Sequence, residues 1–328
     1  MGGSASVAIG RYLLGAAALA VICASLAVAA VAIRRRVLPD WTGAPARLAE
    51  SVIGLAILIA ILEVLGTVGL FSFAPIVIAC VCVGLASLRE SGSSPDAPRR
   101  GQAPDSPSSA SVGPGDPIRT RPRPGGLIVI ALLGAAVVLA EWGALSIQSY
   151  DVGIRGFDSL WYHLPWAASF AQTGNVASLR FTDVEYLTPF YPATAEMLHG
   201  LGIVLLGRDT LSPGFNLVWL GLTLLAAYCI GRPRGVGAAT LLGAAVALAT
   251  TMMDYSQAGA AANDIVAIFF LLAAVGLYVN GSLVLAAVAA GLAVGVLAAA
   301  LMLHEPLGLR EIAALVITLG GVGVALRS

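Results

Sequence analysis

Lysine is absent from this chain; all 18 basic residues are arginine. Chemistry that depends on an ε-amino group, such as a Schiff base or the lysine of a phosphate-binding loop, is thereby excluded. Charge of either sign is scarce. Charged residues make up 11% of the 328 positions, less than half of the roughly 25% that covers a soluble domain. The formal net charge is zero, and nothing in its distribution marks nucleic-acid binding. Cysteine is limited to Cys23, Cys80, Cys82 and Cys229, each inside an apolar stretch. Cys80 and Cys82 form CxC rather than CxxC, so neither a disulfide framework nor a metal knuckle is indicated. All four are expected as small buried apolar residues.

What the chain has in quantity is apolar sequence: 58% of its residues are hydrophobic and its mean hydropathy is +0.90. Apolar stretches near the ~20 residues needed to cross a bilayer recur along it. Spanning segments must be helical, because an open strand edge in lipid leaves backbone groups unpaired. The expected fold class is therefore all-α, a polytopic transmembrane helical bundle. About nine spans are expected, over Leu13–Ile33, Leu48–Leu65, Phe73–Leu88, Leu127–Ile147, Phe215–Ile230, Val236–Met253, Asp264–Val279, Leu283–Leu303 and Leu309–Leu326. Arg34–Arg36, Arg89, Arg232, Arg234 and Arg327 follow alternate spans, which places them in the cytoplasm. The N-terminus is then outside and the C-terminus inside, as in a multi-pass protein of a bacterial inner (plasma) membrane. Only Arg11 precedes the first apolar run, so that run reads as a retained helix rather than a signal peptide.

Four regions follow. Residues 1–88 hold three N-terminal transmembrane helices, and residues 89–126 form a Pro/Ser/Arg-rich cytoplasmic linker without apolar periodicity. Residues 127–295 form a membrane region whose long outer segment spans 147–207, and residues 296–328 form a C-terminal hairpin. Short amphipathic helices are expected in the outer segment. Ala193–Leu206 is apolar but only about 14 residues long, which suits a re-entrant or interfacial helix rather than a crossing.

The 147–207 segment concentrates the chemistry. It carries Asp151, Asp158, Asp183, Glu185, His163, His199 and a dense set of aromatics, and segments this rich in aromatics are not disordered. In GFDSLWYHLPW, Asp158 occupies a helix-start position, with Trp161 and Tyr162 three and four residues on. It is either a helix cap or a carboxylate at the membrane rim that takes a proton from a hydroxyl. His163 orients an acceptor, binds phosphate or is a satisfied interfacial histidine. Asn263 and Asp264 likewise make a good helix start, and Asp254, Tyr255 and Gln257 share their loop. Asp183 and Glu185, two apart, point to opposite sides if extended. Glu63 and Glu141 sit near the outer ends of apolar spans, from which they reach the headgroups. No His/Cys/acid spacing is diagnostic of a metal; a divalent ion is the one cofactor left open.

Residues 158–174, DSLWYHLPWAASFAQTG, resemble the first outer loop of bacterial GT-C-type membrane glycosyltransferases. The likeness continues through Tyr191–Pro192 and the short helix ending at Gly207, then to Asn263-Asp264 at the head of an apolar helix, covering about residues 127–295. The resemblance implies transfer of a sugar from a polyprenyl-phosphate carrier to an acceptor hydroxyl of an envelope glycan or protein, on the outer face. It implies Asp158 as catalytic base, with Trp161, Tyr162, His163, Asn263 and Asp264 binding substrate; Arg155, Arg180 and Arg208 are the basic residues available outside for the phosphate. From about residue 296 the chain is instead similar to the last hairpin of EamA-type drug/metabolite transporters, with Glu305–Pro306 in its turn and Gly320, Gly321 and Gly323 in its last helix. A small-molecule transporter, or a non-catalytic fused membrane protein, are the alternatives this ending raises.

Overall fold

The computed structural model describes residues 2–92, 125–177 and 193–302, with side chains over 9–89, 125–177 and 193–293. Among the described residues every element is helical. The long helices are α1 (Gly2–Val37), α2 (Gly43–Thr67), α3 (Phe73–Gly92) and α4 (Gly125–Val152), then α7 (Ser212–Gly231) and α11 (Leu283–Met302). Shorter ones are α5 (Leu164–Thr173), α6 (Thr194–Leu206), α8 (Gly237–Leu248), α9 (Thr251–Ser256) and α10 (Asp264–Val279). Four segments, Ile9–Val37, Gly43–Thr67, Gly125–Val152 and Ser212–Arg234, are long and apolar enough to cross a membrane. The apolar runs of α3, α6, α8, α10 and α11 are shorter. The run expected over 236–253 is broken: α8 stops at Leu248 and α9 begins a separate turn of helix at Thr251. The expected linker at 89–126 lies almost wholly, and the hairpin at 296–328 largely, outside the described residues.

Helix α10 packs on α7 and α11, α4 on α8 and α7, and α1 on α2, α3 and α6. Aromatic packing centres on Trp219, Phe269 and Phe270, whose ring centroids lie 4.9–5.9 Å apart. Between α1 and α6 the backbones themselves touch, since a Cβ on Gly15 would overlap the Leu205 carbonyl. Only a glycine allows that approach. Many large side chains on the long helices face outward, among them Leu132, Leu133, Val137 and Ile147 of α4. A soluble helix turns such residues inward; a helix against lipid does not need to. Cys80 and Cys229 are buried as expected, whereas Cys23 and Cys82 sit on exposed helix faces. Apolar surroundings in a membrane include the lipid side, so an apolar sequence position does not by itself mean burial in protein.

The bundle has two chemically different ends. At one, Arg34 Nε donates to Glu50 Oε1 at 3.0 Å, Arg47 pairs with the same carboxylate at 2.6 Å, and Asn280 Nδ2 donates to the Cys229 carbonyl at 2.8 Å. Arg35, Arg36, Arg232 and Arg234 flank these contacts, at the ends of α1 and α7. At the other, Phe71 N donates to Gly174 O at 2.9 Å, Tyr150 Oη to Thr210 O at 2.8 Å, and Asn216 Nδ2 reaches the loop before α10. Asp151, Asp158, Asp209, Asp254 and Asp264 belong to this second end. Most of the described arginines gather at the first end, around Glu50, and most of the described aspartates at the second, where Arg11, Arg155 and Arg208 are the basic residues.

Candidate functional site

The acidic end is built on two irregular segments. The first precedes α5. Pro165 has no N–H and its ring would collide with the carbonyl four residues back, so a regular helix cannot run through this point. The chain opens into a π-turn over Ser159–His163, closed by Leu164 N donating to Ser159 O. Such turns re-aim side chains and are frequent at functional sites. Here the turn leaves Asp158 exposed and sends Ser159 and His163 into the interior.

The second segment is the loop between α9 and α10. Asn216 of α7, buried, donates through Nδ2 to the carbonyls of Gln257, Ala260 and Ala262 at 2.7, 3.3 and 3.1 Å. Gly259, at φ +68°, passes so close to α4 that a Cβ would lie 2.8 Å from Leu145 O and 2.5 Å from Ser149 Oγ. The two segments are joined directly, because Ala261 N donates to Ser159 Oγ at 3.0 Å.

These constraints bring Asp158, His163 and Asp264 together. Asp264 lies within electrostatic reach of both Asp158 and His163. Neither aspartate is a helix cap. Asp158 has helical backbone angles and no capping bond, and neither Asn263 nor Asp264 caps α10. Buried Gln257 does that instead: its Oε1 accepts from Ile265 N at 3.2 Å while its Nε2 donates to Asp264 Oδ2 at 2.6 Å. An exposed carboxylate free of capping duty, such as Asp158, can take up a proton. Trp161 and Tyr162 are half-buried beside it. Trp161 packs on Phe157 at 5.1 Å between centroids, and Tyr162 lies 4.0 Å from the His163 ring. Arg155 and Arg208 are exposed, Asn263 is half-buried and Tyr255 is almost fully exposed. Arg180, Asp183 and Glu185 lie outside the described residues.

Behind His163 runs a polar seam through otherwise apolar packing. Glu196 of α6, with no exposed surface, meets His163 Nδ1 through Oε1 at 2.5 Å. His199, one turn further along α6, meets Ser212 Oγ through Nδ1 at 2.9 Å and packs against the Phe215 ring. Glu196 Oε2 is buried and has no partner among the described residues. No local motif marks Glu196 as a site residue. Its position in a short apolar run was the available signal, since a buried acid in an apolar helix demands a partner. Among the described residues, no group of three His, Cys, Asp or Glu is arranged to hold a metal ion. Glu63 of α2 and Glu141 of α4 are exposed.

Comparison with protein-family models, curated proteins and solved structures finds no match to this chain.

Proposed function

We propose that this chain is a membrane glycosyltransferase. It moves a sugar from a polyprenyl-phosphate carrier to an acceptor hydroxyl on the extracytoplasmic face of a bacterial inner membrane. The observation that carries the proposal is that the turn bearing Asp158 and His163 is joined to the distant loop leading to Asp264, within electrostatic reach of both, at the end remote from the arginine-rich one. Arginines flanking spans favour the cytoplasm, so the acidic end faces outward. On that reading α3, the 236–253 run, α10, α11 and the apolar run at 309–326 complete a bundle of about nine spans, with α6 re-entrant or interfacial. The resemblance of residues 158–174 to the first outer loop of GT-C enzymes points to the same place.

In this reaction Asp158 removes the proton of the acceptor hydroxyl as its oxygen bonds to the sugar's anomeric carbon. The bond from that carbon to the carrier phosphate breaks, and the phosphate leaves with the electron pair. Because the lipid phosphate is already a good leaving group, one positioned carboxylate covers the remaining need. Asp264, held by Gln257, and the aromatic wall of Trp161 and Tyr162 orient the sugar; Asn263 lies beside them. Arg155 and Arg208 supply positive charge for the phosphate. The test is transfer from a polyprenyl-phosphate sugar by membranes containing the protein. Asp158→Asn should lower turnover by about 10²-fold or more at unchanged protein level, and full activity in that variant would remove Asp158 from its role.

A further inference from the structure

The pair behind the aspartates has a consequence of its own. An ionised carboxylate only accepts hydrogen bonds, so a His nitrogen bonded to one must carry the proton. Glu196 Oε1 lies 2.5 Å from His163 Nδ1, with both side chains almost wholly removed from solvent. Among the described residues Glu196 has no other partner, since its second oxygen is unbonded. The carboxylate's hydrogen-bonding capacity is therefore directed at one ring nitrogen. Rotation of that ring is hindered by Tyr162, packed against it at 4.0 Å with a 39° tilt between planes. The π-turn fixes the other side, with Ser159 anchored to Ala261.

We infer that Glu196 is a positioning residue: it holds His163 in the Nδ1–H form, so that Nε2 is the basic nitrogen available to the acidic end. Imidazole in water prefers the opposite tautomer, and a carboxylate on Nδ1 is the standard means of reversing that preference. The dyad gives the site a proton acceptor separate from the exposed aspartates. Asp264 lies within electrostatic reach of His163, so a proton arriving on Nε2 stabilises a carboxylate beside it. The imidazolium that forms has its Nδ1–H facing Glu196; the proton on Nε2 is passed on by Asp158 after that carboxylate has deprotonated the acceptor, and it returns to water through the same exposed carboxylate. The use of this dyad in sugar transfer rests on the function proposed above; the tautomer does not.

The chain contains three histidines, which makes the test direct. Full-length protein labelled with ¹⁵N-histidine is purified in detergent, and the His163 signals are identified by their loss in His163→Gln. The expected wild-type spectrum shows His163 protonated at Nδ1, with that proton far downfield. Glu196→Met, close in volume and apolar, should shift His163 to the Nε2–H form. A wild-type His163 already in the Nε2–H form overturns the inference without any variant, as does a tautomer unchanged in Glu196→Met. In the transfer assay, Glu196→Met should lower kcat by about 10²-fold or more with donor KM within about twofold, and Glu196→Asp should restore part of the loss. Unchanged kcat with a switched tautomer would remove the dyad from catalysis. If the wild-type protein transfers no sugar, the proposed function fails, while the spectra still decide whether Glu196 positions His163.

Discussion

Replacing Asn216 tests whether the loop before α10 is held as described. Its Nδ2 group has two protons directed at three carbonyls, at 2.7, 3.1 and 3.3 Å, all in the buried stretch 257–262. Asn216→Ala removes both protons and leaves at least two buried acceptors without a donor. Each such loss costs about 1–3 kcal/mol. Part of this is returned, because Asn216 Oδ1 is itself buried and unpartnered and leaves with the side chain. The net expectation is a destabilisation of about 2–3 kcal/mol. Asn216→Asp is the sharper test: its shape is the same, but a carboxylate placed among carbonyl oxygens has nothing to donate. It should destabilise at least as much as alanine, though it preserves volume. A thiol-reactive fluorogenic dye can report unfolding in detergent, with Cys23 and Cys82 replaced by serine. Buried Cys80 and Cys229 then become the reporters. At about 2 °C per kcal/mol for a chain of this size, alanine should lower the midpoint by roughly 5 °C. If Asn216→Asp melts within about 1 °C of wild type, the three-carbonyl clamp is not what holds the loop.

Other perturbations follow from the same structure. Gly259→Ala adds a Cβ at positive φ against Leu145 O and Ser149 Oγ, a cost of about 3 kcal/mol readable in the same melting assay. At the opposite end, Glu50→Ala strands buried Arg34 and should cost about 3 kcal/mol. Arg47→Ala removes a mostly exposed partner of the same carboxylate and should cost under about 1 kcal/mol; equal effects would contradict the burial difference. In native detergent-solubilised protein a maleimide should modify Cys23 and Cys82 promptly, and Cys80 and Cys229 only on unfolding. For orientation, a cysteine placed at Tyr255, 90% exposed, in a cysteine-free background should label from outside intact cells, whereas one at Arg35 should not.

Much of the bundle can be read from residue order alone, because long apolar runs leave a chain few options but helices. The runs at 13–33, 48–65, 127–147 and 215–230 lie within the four segments long enough to cross a membrane. Local signals fail where a contact partner lies far away in sequence. Asp158 and Asn263-Asp264 have the residue types of helix caps, yet Gln257 caps α10 from seven residues before its first residue. An amide in a loop does not announce such a task. Glu196 and His163 meet across 33 residues, and only the fold places α6 beside the π-turn. The break between α8 and α9 is equally hidden, because Ala249 and Thr250 carry neither proline nor glycine to mark it.

The bond from Ala261 N to Ser159 Oγ joins stretches 102 positions apart, and that single clasp makes them one heritable unit. A change that shifts the turn at Ser159 displaces the strip of backbone bearing Ala261, so each stretch sets the background against which substitutions in the other are tolerated. Randomising either stretch alone would return mostly damaged proteins, whereas paired libraries spanning both would reach working combinations that single-stretch libraries miss.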